Sequence, residues 1–379
     1  MRVEEVSVSF EPETLQDLRR RLSAWRRSPD LGQDWERGMP NTWLTDLLDD
    51  WHQFNVDALQ RRLDDLIHYR AQVGDQQVHV VRVVGSGPRP MPLLLTHGCP
   101  GSFLEYLKLI PLLTDPAAHG ANPNDAFTLI IPSLPGFGFS GPPPDSGRTA
   151  RNVAGIWHRL MTDGFGYERY AAHGSDLGAG VTGWLARDYA VNVAGIHLAT
   201  PGLAVPDDHR SGDEERFAQA VTTWAVEEGG YMHQHATKPA TLAAALSDSP
   251  AGLAAWIGEK VVAWSSELEN GVPAFDRDLL LSTLTLYWAT NTVATSLLPY
   301  WAYQHVDTAP PANDPSPVPT SVTIFGGERI PFPKPPRELA ERYYNVTDWS
   351  ELPFGGHFPG VTAPEILAGV IRRFFRPLR

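Results

Sequence analysis

The sequence predicts an α/β protein: a mainly parallel sheet covered by helices on both sides, with a helical insertion late in the chain and a helical extension at its start. Three observations carry this reading. Short apolar runs recur at Leu93–Leu95, Phe127–Ile131, Tyr170–Ala172, Val193–Leu198 and Ser321–Phe325. Helical patterns separate most of them, as expected when parallel strands are buried on both faces. Between about 204 and 312 the alternation stops, and the chain becomes helical in pattern and rich in Trp, Ala and Leu.

Taken in order, residues 11–70 read as helices. Leu15, Leu18, Leu22 and Trp25 recur at spacings of three and four, Trp43, Leu44, Leu47, Leu48 and Trp51 do the same, and Leu59, Leu63 and Leu66 continue the pattern. A hairpin-like pair follows, Leu66–Val73 and Gln77–Val84, joined at Gly74-Asp75. The strands of the sheet come next. A helical insertion this late in an α/β sheet falls naturally over the carboxyl ends of the strands, where ligands bind. It closes with the proline-rich loop Ala309–Pro319. The boundaries expected are 1–74 for the extension, 75–203 and 313–379 for the two parts of the core, and 204–312 for the lid.

Composition excludes several classes. Hydrophobic residues make up 42% of the 379 and charged ones 20%, which leaves ample material for a large core and rules out disorder. The net charge of −13 argues against a general nucleic-acid binder, which needs a basic surface. Cys99, the sole cysteine, cannot form an internal disulfide or build a zinc or iron–sulfur site. His173, His233 and His235 lack a ligand constellation, so no metal is expected. No apolar stretch of about 18 residues or more is present, so no membrane span is expected. The opening MRVEEVSVSFEPETLQDLRRRL lacks the apolar region of a signal peptide, and a cytoplasmic protein is expected.

The sharpest local signal is Gly174-Ser175-Asp176-Leu177-Gly178, directly after a strand. This is the Gly-x-nucleophile-x-Gly spacing of a nucleophile elbow, with aspartate at the centre. Ser175 does not fit that frame, because positions 173 and 177 are His173 and Leu177 rather than glycine. The competing reading is that Asp176 only caps the helix that follows. An aspartate nucleophile gives an ester, and hydrolysis of the ester needs a base. His357, in Gly355-Gly356-His357-Phe358, comes last in the chain order nucleophile, acid, histidine. Glu328, just after the Ser321–Phe325 run, is placed to orient the imidazole and stabilise its cation.

With these residues in view, the chain resembles the microsomal-type (xenobiotic and juvenile-hormone) epoxide hydrolases of the α/β-hydrolase superfamily, in a soluble bacterial form. The resemblance runs from the helical N-terminal region through His97-Gly98-Cys99-Pro100-Gly101-Ser102 and Leu134-Pro135-Gly136-Phe137-Gly138-Phe139-Ser140 to Gly355-Gly356-His357-Phe358. It implies an α/β-hydrolase fold, with Asp176 as nucleophile, His357 as base and Glu328 as acid. Gly230-Tyr231-Met232-His233 and Lys238-Pro239 match the family segment that carries one epoxide-protonating tyrosine, and Tyr300 occupies the place of the second. Without the resemblance, core packing is the better reading of both tyrosines.

An epoxide is strained, yet its alkoxide is a poor leaving group, so opening needs an anion on carbon and a proton donor on oxygen. Asp176 supplies the first and a tyrosine the second. The oxyanion of the second step falls to the backbone N–H groups of Leu177 and Cys99. No metal or organic cofactor is required.

Departures from the family are also present. Cys99 and Leu177 stand where it has tryptophans, Ser175 stands for a glycine, and the membrane-anchor helix of the animal enzymes has no counterpart. Cys99 is expected to be a small, half-buried filler, and His97 to brace its loop. The nearest enzymatic rival is a haloalkane dehalogenase, disfavoured because Leu177 cannot donate a hydrogen bond to a halide. A non-catalytic hydrolase-fold binding protein has no need of the full acid–base set. The tryptophan-rich lid, part of a chain with 12 tryptophans, points to a bulky apolar or aromatic epoxide. Antibiotic biosynthesis is one setting for such an enzyme. The assembly is left open, a homodimer included.

Overall fold

In the computed structural model, residues 1–32, 34–144, 149–208, 210–266, 274–306 and 309–379 are described. The chain opens with β1 (Arg2–Val6), then α1 (Pro12–Ser23), α2 (Asn41–His52) and α3 (Val56–Asp64). The hairpin β2 (His68–Val73) and β3 (Gln76–Val83) follows, then β4 (Met91–Thr96), α4 (Leu109–Thr114) and β5 (Phe127–Pro132). Next come α5 (Ala150–Arg159), β6 (Tyr170–Ser175), α6 (Leu177–Asp188) and β7 (Val193–Ala199). The stretch expected to form the lid contributes α7 (Gly212–Glu227), α8 (Gly230–Thr237), α9 (Pro239–Asp248), α10 (Pro250–Trp264), α11 (Arg277–Thr290), α12 (Val293–Ser296) and α13 (Leu298–His305). The core resumes with β8 (Ser316–Gly326), α14 (Arg337–Glu341), β9 (Tyr344–Gly355), α15 (Pro359–Thr362) and α16 (Pro364–Phe375). His209 and residues 267–273 and 307–308, all inside the expected lid range, lie outside the described residues.

The strands form one sheet in the order β1-β2-β3-β5-β4-β6-β7-β8-β9. The β1/β2, β2/β3 and β3/β5 pairs are antiparallel, and every pair from β5 through β9 is parallel. Every residue of β5, β6 and β7 is buried, so both faces of the sheet are covered there. Helix α5 packs on α6, and α4 packs on α16.

Two strands lie outside the sequence expectation, β1 and β9, and they form the two edges of the sheet. An edge strand is solvated along one side and carries no continuous apolar run. In Tyr344–Gly355 only the first and last residues are buried. Strand β8 also starts earlier than expected, at Ser316 inside the proline-rich loop. Pro317 and Pro319 are tolerated because pairing with β7 begins only at Thr320. Trp25 and Leu66 continued the helical spacing, but α1 ends at Ser23 and α3 at Asp64.

The N-terminal helices brace the lid. Helix α1 packs on α10 and α11, α2 on α10, and α3 on α11. Buried Trp51 donates its Nε1–H to Thr285 Oγ1 at 2.9 Å. Exposed ion pairs, Arg21–Asp248 and Arg277–Asp50 among them, add little on top of this packing.

Candidate active site

Strands β4 and β6 are parallel neighbours, with Thr96 opposite Gly174. The chain leaving β4 next joins the sheet on one side, as β5, and the chain leaving β6 on the other, as β7. Such a reversal opens a crevice beyond the carboxyl ends of the two strands. Asp176 sits there, at the junction of β6 and α6.

Asp176 has φ 51° and ψ −125°, a conformation a non-glycine residue holds only when its surroundings impose it. The surroundings do so through contact. A Cβ on Gly178 would lie 2.0 Å from the Thr96 carbonyl oxygen, and one on Gly98 would lie 2.4 Å from Asp176 Cβ. Only glycine at these positions lets the turn close. Asp176 occupies the cap position of α6, but its side chain caps nothing. Instead its Oδ1 accepts from the Cys99 amide at 2.9 Å. The helix-cap reading of Asp176 is therefore excluded. Burial opposes the charge on this carboxyl, but His357 and the amides of Cys99 and Leu177 outweigh it and hold the pKa below the ordinary value.

His357 follows β9. Gly355 and Gly356, both at positive φ, turn the chain, and the His357 amide donates to the Trp264 carbonyl at 2.9 Å. The imidazole stacks on Phe332 at 5.0 Å between centroids and packs on Trp264 at the same distance. Its Nε2 lies 3.4 Å from Asp176 Oδ2 and has no hydrogen-bond partner.

The structure does not bring Glu328 to the imidazole. Both of its oxygens accept from the Lys334 ammonium at 2.8 Å. Among the described residues, Asp176 is the only acid within 4.0 Å of the His357 ring nitrogens. Glu328 still sits close by along the backbone: it bridges Ser266, whose Oγ accepts from the Gly355 amide at 3.1 Å.

The lid tyrosines come together above this point. Tyr231 on α8 and Tyr300 on α13 meet edge to face at 5.9 Å, and both sense the negative charge of Asp176. Burial pushes both phenols well above their ordinary pKa, and the charge of Asp176 adds to the shift. They stay protonated, as a proton donor must. With Cys99, Tyr287 and Trp264 they line a cavity of about 20 Å³, room for roughly one water. A bulky ligand has to part this aromatic wall. Cys99 is more buried than expected, at 6% exposure, and interacts with Tyr300. His97 braces its loops, its Nε2 accepting from the Leu134 amide and its Nδ1 bonding the Gly98 carbonyl.

Comparison with known proteins agrees with this geometry. Residues 3–106 match the family model described as "Epoxide hydrolase N terminus", and residues 91–228 match "alpha/beta hydrolase fold". A putative epoxide hydrolase of Stigmatella aurantiaca is 37% identical over 96% of this chain and 83% of its own length. Epoxide hydrolase 1 of Oryctolagus cuniculus is 31% identical over 97% and 87%. The chain belongs to the epoxide hydrolase family. The crystal structure of juvenile hormone epoxide hydrolase from Bombyx mori superposes with a TM-score of 0.86, at 27% identity, over 100% of this chain and 95% of that one. Enzymes of this family hydrolyse the ether bond of an epoxide, and among the described residues no helix is long and apolar enough to cross a membrane.

This epoxide hydrolase also holds a buried acid that the sequence reading passed over. Glu105 lies against Gly101, so close that a Cβ there would meet its Oε1 at 1.4 Å. Burial, followed by the charge of Asp176, pushes its carboxyl up to about 8 from 4.5. The available signal was a single acid within the apolar stretch Phe103–Leu107. Between the two values the native state keeps a proton that the unfolded chain has released, so stability falls as pH rises through that window and levels off above it. Glu105→Gln has no such proton to keep. Its stability relative to the parent should therefore grow between pH 5 and pH 8, by a few kcal/mol at about 1.4 kcal/mol per pKa unit. Urea unfolding of both proteins at the two pH values checks this, and a constant difference refutes it.

Proposed function

We propose that Asp176 attacks an epoxide carbon, that Tyr231 and Tyr300 deliver the proton to the departing oxygen, and that His357 drives hydrolysis of the ester to a vicinal diol. The observation that carries this is the Asp176 carboxylate, set between two backbone amides and an imidazole, with two phenols on the side of the lid. As the Asp176 oxygen bonds to carbon, the carbon–oxygen bond of the ring breaks and the epoxide oxygen takes a tyrosine proton. His357 Nε2 then takes a proton from water, and the hydroxide adds to the Asp176 carbonyl carbon. The resulting oxyanion is met by the Cys99 and Leu177 amides. On its collapse the ester carbon–oxygen bond breaks, the departing oxygen takes the proton from His357 and leaves as the diol, and the proton left on the Asp176 carboxyl restores the phenol.

Glu328 enters as the charge partner of His357. Held by Lys334 in the resting arrangement, it turns toward the imidazole as the cation forms. The substrate proposed is a bulky apolar or aromatic epoxide, supported by the aromatic walls of the cavity. The haloalkane reading loses support, since Leu177 offers no side-chain donor while two tyrosines face the nucleophile. A cytoplasmic setting is supported by the free Cys99. A homodimer is the assembly proposed, and sedimentation reads it directly.

A single turnover in ¹⁸O-water tests the route. The diol should emerge unlabelled, and the label should appear in Asp176. Label in the first diol would mean that water attacks the epoxide directly, and the assignment of Asp176 would fall.

A further inference from the structure

Two residues on the wall of the cavity beneath the lid, Trp264 and His235, carry a buried ring nitrogen with no partner among the described residues, and His235 is the one beside both tyrosines. His235 lies one helical turn after Tyr231 on α8, is 3% exposed, and lines the cavity together with Tyr231 and Tyr300. Its Nε2 accepts the indole N–H of Trp256 at 3.1 Å. An indole nitrogen can only donate, so Nε2 must carry the lone pair. In a neutral imidazole the proton then sits on Nδ1, and burial favours the neutral form, pushing His235 down to about 4. The structure therefore fixes the tautomer: Nδ1–H is a donor. That nitrogen is buried and has no partner.

An unmade hydrogen bond at a buried donor is costly, and a site that carries one is suited to a ligand able to complete it. The charged side chain on this wall is the Lys260 ammonium. It is already neutralised by Glu259 at 2.9 Å and lies over the Tyr231 ring at 5.2 Å. A second full charge is not called for. A neutral oxygen acceptor is.

We propose that His235 is a specificity residue of this enzyme, and that the preferred substrates are apolar epoxides carrying a carbonyl oxygen (ketone, ester or amide) that accepts the Nδ1–H bond while the epoxide oxygen faces Tyr231 and Tyr300. The inference rests on the epoxide-hydrolase reading and deepens it. His235 touches both tyrosine rings, at 5.7 and 4.9 Å between centroids, so the two polar ends of such a substrate are held by one contiguous wall.

The test is a series of epoxy ketones with the carbonyl at graded distances from the ring, each paired with the epoxyalkane of the same skeleton. In the parent enzyme the ketone of at least one pair should show the higher kcat/KM, by about 10–100-fold, the span of one buried hydrogen bond. His235→Phe should erase that preference, so that the ketone and the epoxyalkane of a pair are opened with similar kcat/KM, and an unchanged circular dichroism spectrum shows that the variant is folded. His235→Gln, whose amide can accept from Trp256 and still donate, should retain most of it. Three outcomes overturn the inference: no ketone preference in the parent enzyme, an equal loss on both members of a pair in His235→Phe, or a preference that survives that change. Failure of the parent enzyme to open any epoxide of the series would overturn the underlying reading as well, and so is distinguishable from these.

Discussion

Replacing His357 with Gln should stop turnover and leave the protein alkylated at Asp176. The two half-reactions draw on different groups. Ester formation needs the Asp176 carboxylate, which the Cys99 and Leu177 amides continue to hold without His357. Ester hydrolysis needs a base for water, and His357 Nε2, 3.4 Å from Asp176 Oδ2 and otherwise unpartnered, is the group placed for it. Loss of a positioned base costs about 10²–10⁴-fold in rate, so hydrolysis becomes far slower than alkylation and the ester accumulates. Intact-protein mass spectrometry should show one added substrate mass, and peptide mapping should place it on Asp176. Glu328→Gln should slow the same step by less, because the base itself remains and only its charge partner is changed. Undiminished steady-state turnover by His357→Gln would remove His357 from the mechanism.

The elements read correctly from sequence are those whose chemistry is local. Phe127–Ile131 and Val193–Leu198 are apolar at every position because both faces of a central parallel strand are covered, and that leaves a mark on the sequence. Asp176 is legible because the turn that raises it needs small residues at fixed offsets, and Gly178 meets the Thr96 carbonyl as that argument requires. The edge strands β1 and β9 leave no comparable mark, since one side of each meets solvent. Equally illegible was the pairing of Glu328 with Lys334 across five intervening residues, two of them prolines, which depends on the path of that loop and on nothing periodic. The donor at His235 depends on the indole of Trp256, two helices further along the chain, and no spacing in either segment announces it.

The double variant Tyr231→Phe, Tyr300→Phe should lose more alkylation rate than either single variant, by about 10²–10⁴-fold against the parent. The two phenols meet at 5.9 Å between ring centroids on separate helices, and both respond to the charge of Asp176. They can thus serve one developing alkoxide together, and a single Tyr→Phe change leaves a donor in place. Folding should change little. Phe keeps the ring that packs Tyr231 against Trp264 at 5.3 Å and Tyr300 against His235 at 4.9 Å, and removes only a hydroxyl. Because both phenols are held well above their ordinary pKa, the donor stays protonated through the neutral range. Alkylation should therefore show no alkaline loss below the ordinary tyrosine pKa, about 10. Rapid mixing of enzyme with a chromogenic epoxide, following the burst of ester formation, separates this step from hydrolysis. A double variant that alkylates at the parental rate would show that the proton comes from another group.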